Sequence, residues 1–156
     1  MNVLWTWAVS AYEREGVAAA CLDLQDGHGQ SVPLLLWSAW LAAEGRAVDE
    51  DTLEAAADAA RAWERVASAP LRAIRRTLAK PIPDITDEGR IAVREQVKAV
   101  ELAAEQRLLA ELEALAEETR PDLTRTLEAA LARAARSWST TVPRSALNRL
   151  AAALSA

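Results

Sequence analysis

The stretch Gln30–Ala43 reads Q-S-V-P-L-L-L-W-S-A-W-L-A-A and holds no charged residue. It is shorter than the ~20 apolar residues that cross a bilayer. Leu34, Leu35, Leu36, Trp37, Trp40 and Leu41 surround most of a helical wheel, and a helix that is apolar nearly all round belongs inside a fold. Ser31 is a capping residue, Pro33 is tolerated in a first turn, and Gly45 is a stop signal. A central helix is expected here, with the rest of the chain packed around it.

What surrounds it is helical too. Alanine, leucine, glutamate and arginine dominate, and these are strong helix formers. Phenylalanine is absent, so aromatic volume must come from the six tryptophans. The five glycines and six prolines punctuate periodic segments, and β-branched runs are missing. The chain therefore reads as all-α. With 156 residues it is expected to form a single helical domain over 1–156 that buries roughly 70% of its unfolded surface. About seven or eight helices are expected, including one long helix near 87–118 and C-terminal helices within 121–156.

Taken in order, Leu4, Trp7, Ala8 and Ala11 share one face of a helix over Val3–Arg14, with Trp5 and Tyr12 on a neighbouring stripe and Gly16 as a left-handed cap. A short helix from Val17 to about Gln25 presents Val17, Cys21 and Leu24. Asp26-Gly27-His28-Gly29 then reads as a tight turn. Asp49 or Asp51 opens a helix to Ala67 whose face is Leu53, Ala56, Ala57, Ala60 and Trp63, and Ser68-Ala69-Pro70 is read as its break. Pro70–Lys80 buries Leu71, Ile74 and Leu78 and carries Arg72, Arg75, Arg76 and Lys80, the densest basic cluster in the chain. After an extended Pro81–Ile85 linker comes Asp87–Glu118, with a bundle seam of Val93, Val97, Val100, Ala104, Leu108, Leu112 and Leu115. Pro121–Trp138 should turn Leu123, Leu127, Ala130 and Leu131 inward, and Pro143–Leu154 should turn in Leu147, Leu150 and Leu154.

The chemistry-bearing residues are few. One cysteine makes no intramolecular disulfide. Cys21, Asp23, Asp26 and His28 are ligand types, but they lack the paired spacing of a zinc site. No metal and no cofactor are expected. Glu101 and Glu105 stand at i, i+4 beside Arg94 and Lys98. Such a pair could serve acid–base chemistry, yet a salt-bridged stripe is the simpler reading. No nucleophile–base–orienter set is seen, so no catalytic residue is assigned and the chain leans away from being an enzyme. The net charge is −5, with two basic and ten acidic residues in 1–60 against nine and five in 61–98. An acidic total disfavours nucleic acid, while the basic middle third suits a small anionic ligand or an acidic partner. The N-terminus lacks the basic start of an export signal, and a cytoplasmic protein that does not enter membranes is expected.

The motifs W-x-W at Trp5 and Trp7, C-L-x-L-Q-D at Cys21–Asp26, the leucine run ending at Trp40-Leu41, and P-L-R-x-x-R-R at Pro70–Arg76 resemble a proteobacterial family of small uncharacterised cytoplasmic proteins, a domain of unknown function. V-K-x-x-E-L-x-x-E at Val97–Glu105 extends the resemblance, which covers about 4–112. Pro33 departs from the polar residue expected there. The resemblance implies no activity. Two functions remain. One is a non-enzymatic helical module that binds a protein partner or a second copy of itself. The other is a small-molecule or anion-binding domain with a tryptophan-walled pocket between the Gln25–His28 turn and the Arg72–Arg76 helix. The candidate binding surface is Gln25, Asp26, His28, Arg72, Arg75, Arg76, Lys98 and Glu101. Trp5, Trp7, Trp37 and Trp40 either wall that pocket or fill the core.

Overall fold

A computed structural model describes residues 2–156. Its axis is the expected central helix. Ser31 Oγ accepts the Leu34 N–H at 3.4 Å and opens that helix, Val32–Ala43, in which all eight of Val32, Leu34, Leu35, Leu36, Trp37, Ala39, Trp40 and Leu41 are buried. In chain order the helices are α1 (Val3–Tyr12), α2 (Val17–Leu22), α3 (Val32–Ala43), α4 (Glu50–Trp63), α5 (Ala69–Thr77), α6 (Asp87–Leu115), α7 (Leu127–Trp138) and α8 (Arg144–Ser155). Among the described residues the fold is all-α apart from one two-residue antiparallel pairing, β1 (Arg46–Ala47) with β2 (Arg120–Pro121).

Helices α1, α4, α6 and α7 pack on α3, and α8 closes against α2 and α7. Small residues make the close approaches, with Ala56, Ala57 and Ala60 on α4 and Ala134 and Ala135 on α7 at most 1% exposed. One apolar cluster runs from Leu4 to Leu154. Trp37 lies wholly within it and Trp40 nearly so, while Trp5 and Trp7 are half-buried against it. The tryptophans are core. The N-terminus of α1 is anchored by Glu113, whose carboxylate accepts the Val3 and Leu4 N–H groups at 3.1 and 2.8 Å. Two of the orphan donors of a helix start are thereby satisfied by a negative charge on α6. Among the described residues no helix is long and apolar enough to cross a membrane.

The expected helix boundaries fail at two places for one reason. Helix α2 does not continue as an α-helix to Gln25 but passes at Asp23 into a π-helical turn, Asp23–Gly27. The left-handed residue of the expected Asp26–Gly29 turn is Gly29, just beyond the π-turn, with φ 61°. Helix α4 does not break at Ser68-Ala69-Pro70 either. It passes through a second π-turn, Glu64–Ser68, and continues as α5, with the Ala69 N–H bonded to Glu64 O. Pro70 lacks an N–H and crowds the preceding turn of an ordinary helix. The wider π-turn accommodates it without ending the helix.

Three further expectations are corrected. The α6 seam is only half a seam. Leu108, Leu109 and Leu112 are buried, but Val93 and Val100 are about half exposed at 48% and 52%. The outer half of α6 turns the polar Arg90, Arg94, Glu101 and Glu105 inward together with Val97 and Ala104, and leaves Val93 and Val100 on the uncovered flank. Helix α6 also ends at Leu115, not Glu118. Finally, α7 starts at Leu127, because Thr126 caps it by accepting the Ala129 N–H at 3.1 Å. Pro121 therefore belongs to β2, and Leu123 is 88% exposed in the loop rather than inward. The buried Leu147, Leu150 and Leu154 of α8 agree with expectation.

Candidate ligand-binding cavity

Residues that form π-turns make the mouth of a cavity. A π-turn inserts one residue into a helical register, re-aims the side chains that follow, and recurs at functional sites. Here the first contributes Gln25 and the second contributes Glu64 and Ser68 to one cavity of about 220 Å³. The start of α3 adds Gln30, Ser31, Val32 and Pro33, α5 adds Arg72 and Arg75, and α6 adds Glu101 and Glu105.

The guanidinium groups are oriented by carboxylates. Arg72 Nη1 donates to Glu64 Oε1 at 2.8 Å, and its Nη2 donates to Gln25 Oε1 at 3.3 Å. Arg75 Nε donates to Glu101 Oε2 at 2.6 Å. Both arginines are largely shielded from water, so these pairs are screened less than surface ones. Outside the lining, Arg76 Nη2 donates to Asp26 Oδ1 at 2.8 Å, and both side chains are exposed enough that this pair adds little.

Two groups of the cavity have business left over. Gln30 is 4% exposed. Its backbone N–H donates to Leu24 O at 2.9 Å and its Nε2 to Ser139 Oγ at 3.2 Å, but its Oε1 has no partner in the protein. Glu105 makes no ion pair or hydrogen bond among the described residues. Burial raises its pKa above the ordinary carboxylate range, Arg72 draws it down, and Glu101 pushes it up. Behind Glu105 lies Cys21, whose thiol burial pushes up to about 11. It is a protonated, inert thiol at neutral pH.

Of the eight residues assigned from sequence, Gln25, Arg72, Arg75 and Glu101 meet in the cavity, and Asp26 pairs with Arg76 outside its lining. His28 and Lys98 do not join them. His28 Nε2 stands 3.7 Å from Asp23 Oδ2, which Arg149 of α8 also reaches at 2.8 Å. Lys98 is exposed and donates to Glu95 at 3.2 Å. The tryptophan wall is also corrected. No tryptophan lines the cavity. Trp40, one of the four named for it, donates its Nε1 to Glu44 at 3.0 Å and lies under the Arg46 guanidinium, 5.1 Å away. Glu64, Ser68, Gln30 and Ser31 were not foreseen. On a regular helix Glu64 and Arg72 are about 80° apart around the axis, and only the π-turn brings them together. Gln30 left one faint signal, an amide at the start of an otherwise apolar run.

No curated protein and no solved structure matches the chain. One sequence family matches residues 3–112, a span from the start of α1 into α6 that includes every residue lining the cavity and leaves out α7 and α8. On that match the chain belongs to DUF2390, a family of proteins of unknown function.

Proposed function

We propose that the protein binds a small polar molecule in the cavity between the two π-turns. Gln30 is the observation that carries this reading. A buried carbonyl oxygen without a partner destabilises a fold by ~1–3 kcal/mol, and here it belongs to a side chain that lines a cavity furnished by five separate elements. Convergent polar groups in one concavity are the mark of a ligand site. The cavity arginines are held in place by Glu64 and Glu101, so they are pre-positioned rather than free to collapse on a guest.

Native mass spectrometry of protein purified gently from its own host tests this. The expected result is a co-purifying small molecule that is absent from Gln30→Met. Protein that arrives bare, and whose Tm is unmoved by a library of polar metabolites, rejects the reading.

The helical interaction module is favoured by a different observation. Ile91, Val93, Val100 and Leu102 on α6 are each about half exposed, at 48–54%. A docking partner would use these flanks rather than the basic helix, since Arg72, Arg75 and Arg76 are each already bonded to a carboxylate. Light scattering of the protein with and without Val100→Asp and Leu102→Asp separates a self-associating chain from a monomer.

A further inference from the structure

Resting on the polar-ligand reading, we propose that the ligand is a small zwitterion of the α-amino-acid kind, with its ammonium toward Gln30 and Glu105 and its carboxylate on Arg75.

Size is the first argument. The cavity of about 220 Å³ falls below the ~300–1,000 Å³ of drug-sized sites. A ligand wholly contained in it is smaller than a nucleotide. The second argument is the supply of acceptors. Gln30 Oε1 is buried without a partner, and the Glu105 carboxyl is bonded to nothing in the protein among the described residues. An ammonium brings three donors and no acceptor, which suits that end. The third is the supply of donors. Arg75 spends only its Nε, on Glu101, and its two Nη groups make no hydrogen bond among the described residues. The Nη edge of a guanidinium is a fork that takes a carboxylate by two parallel bonds. Val32 and Pro33, on the same lining, supply an apolar wall for a short side chain.

Charge balance separates this ligand from its rivals. Arg72 is matched by Glu64 and Arg75 by Glu101, leaving Glu105 as the surplus group. A phosphate or dicarboxylate would add negative charge beside that surplus carboxyl and leave Gln30 Oε1 still without a donor. A simple amine would satisfy Gln30 and Glu105 but leave the Arg75 fork empty. A zwitterion answers both ends and adds no net charge.

The groups that face Glu105 are Arg72 from α5, Glu101 on its own helix, and Tyr12 and Cys21 from α1 and α2. Burial raises the Glu105 pKa in the free protein. An arriving ammonium draws it back down, so binding should strengthen as pH rises through that raised value.

Isothermal titration of the intact protein with the α-amino acids tests the assignment, each binder being compared with its methyl ester and its N-acetyl derivative. At least one amino acid should bind, and either derivative should bind at least about tenfold more weakly, equal to ~1.4 kcal/mol. Repeating the titration at several pH values in buffers of different ionisation enthalpy should show proton release as the pH is lowered into the range where Glu105 titrates. Arg75→Lys keeps the charge but loses the fork, and should erase the difference between acid and ester. If esters and N-acetyl compounds bind as well as the parent, or if no amino acid binds, the zwitterion assignment is overturned. Should the protein then prove to carry some other polar molecule that Gln30→Met loses, the cavity reading stands without it. Should nothing bind at all, both fall.

Discussion

Replacing Gln30 by methionine should stabilise the ligand-free protein, although Gln30 is 4% exposed and hydrogen-bonded. Methionine follows the same unbranched path, so the change removes the amide and little else. One hydrogen bond is lost, from Nε2 to Ser139 Oγ, with a net value of ~1 kcal/mol. No donor is orphaned by that loss, because Ser139 Oγ continues to donate to Thr141 O at 2.8 Å. The backbone bond to Leu24 O is untouched. Against this, the buried Oε1 without a partner disappears, and with it a penalty of ~1–3 kcal/mol. The balance favours the variant by about 0–2 kcal/mol, and for a chain of this length each kcal/mol moves Tm by roughly 2–4 °C. Scanning calorimetry and urea unfolding measure it directly, and an unchanged m-value would show that the unfolded state was not altered. A fall in Tm of about 3 °C or more at constant m would refute the reasoning, because Gln30 Oε1 would then be contributing to the free fold rather than reserved for a guest.

Trp37→Ala should lose ~3–5 kcal/mol, since Trp37 is wholly buried in the helix on which α1, α4, α6 and α7 pack; a loss under ~1 kcal/mol by urea unfolding would contradict its place in the core. Glu105→Gln should stabilise the protein at neutral pH. The folded protein raises the Glu105 pKa by burial, so ionisation opposes folding. The gain should be constant above the raised folded value and shrink to nothing as pH falls below the ordinary glutamate value of ~4.3, which paired unfolding curves at pH 4 and pH 7 would show. Gly45→Ala should cost ~1–2 kcal/mol, because Gly45 sits at φ 64°, where an L side chain is strained. The Leu123 side chain that a new Cβ would approach is exposed and free to swing away, so thermal denaturation should report the backbone term alone.

The central helix was legible because its signal needs no partner to be read. Leu34, Leu35, Leu36, Trp37, Trp40 and Leu41 cover the wheel, and only an interior position accepts that. Helix α8 was legible for the simpler reason that Leu147, Leu150 and Leu154 keep strict helical spacing. Val93 and Val100 keep the same spacing and yet lie half exposed. Periodicity says which residues share a face, and only the surrounding fold says whether anything covers it. Arg72, Arg75, Gln25 and Glu101 could be placed together by charge, since a basic helix and an acidic segment attract. Glu64 and Gln30 could not. The first reaches Arg72 through a π-turn that a 3.6-residue wheel does not contain, and the second matters through an oxygen whose partner is missing, which no sequence pattern records.

The second π-turn sets a phase relation between two helices. Its extra residue turns α5 by about 100° relative to where an uninterrupted α4 would have carried it. Helix α4 is pinned by the buried Leu53, Ala56, Ala57 and Ala60, whereas no residue of α5 is fully buried. If the chain were shortened by one residue within 65–68, the π-turn would relax to ordinary helix and α5 would keep its facing, because Glu64 and Arg72 would become an i, i+7 pair about 20° apart. Were the same residues instead wound as plain α-helix with none removed, α5 would turn by about 100° and carry Arg72 and Arg75 away from Glu64 and Glu101, although every one of those side chains remained present. The site is thus encoded in how the chain winds a given count of residues as much as in their identities.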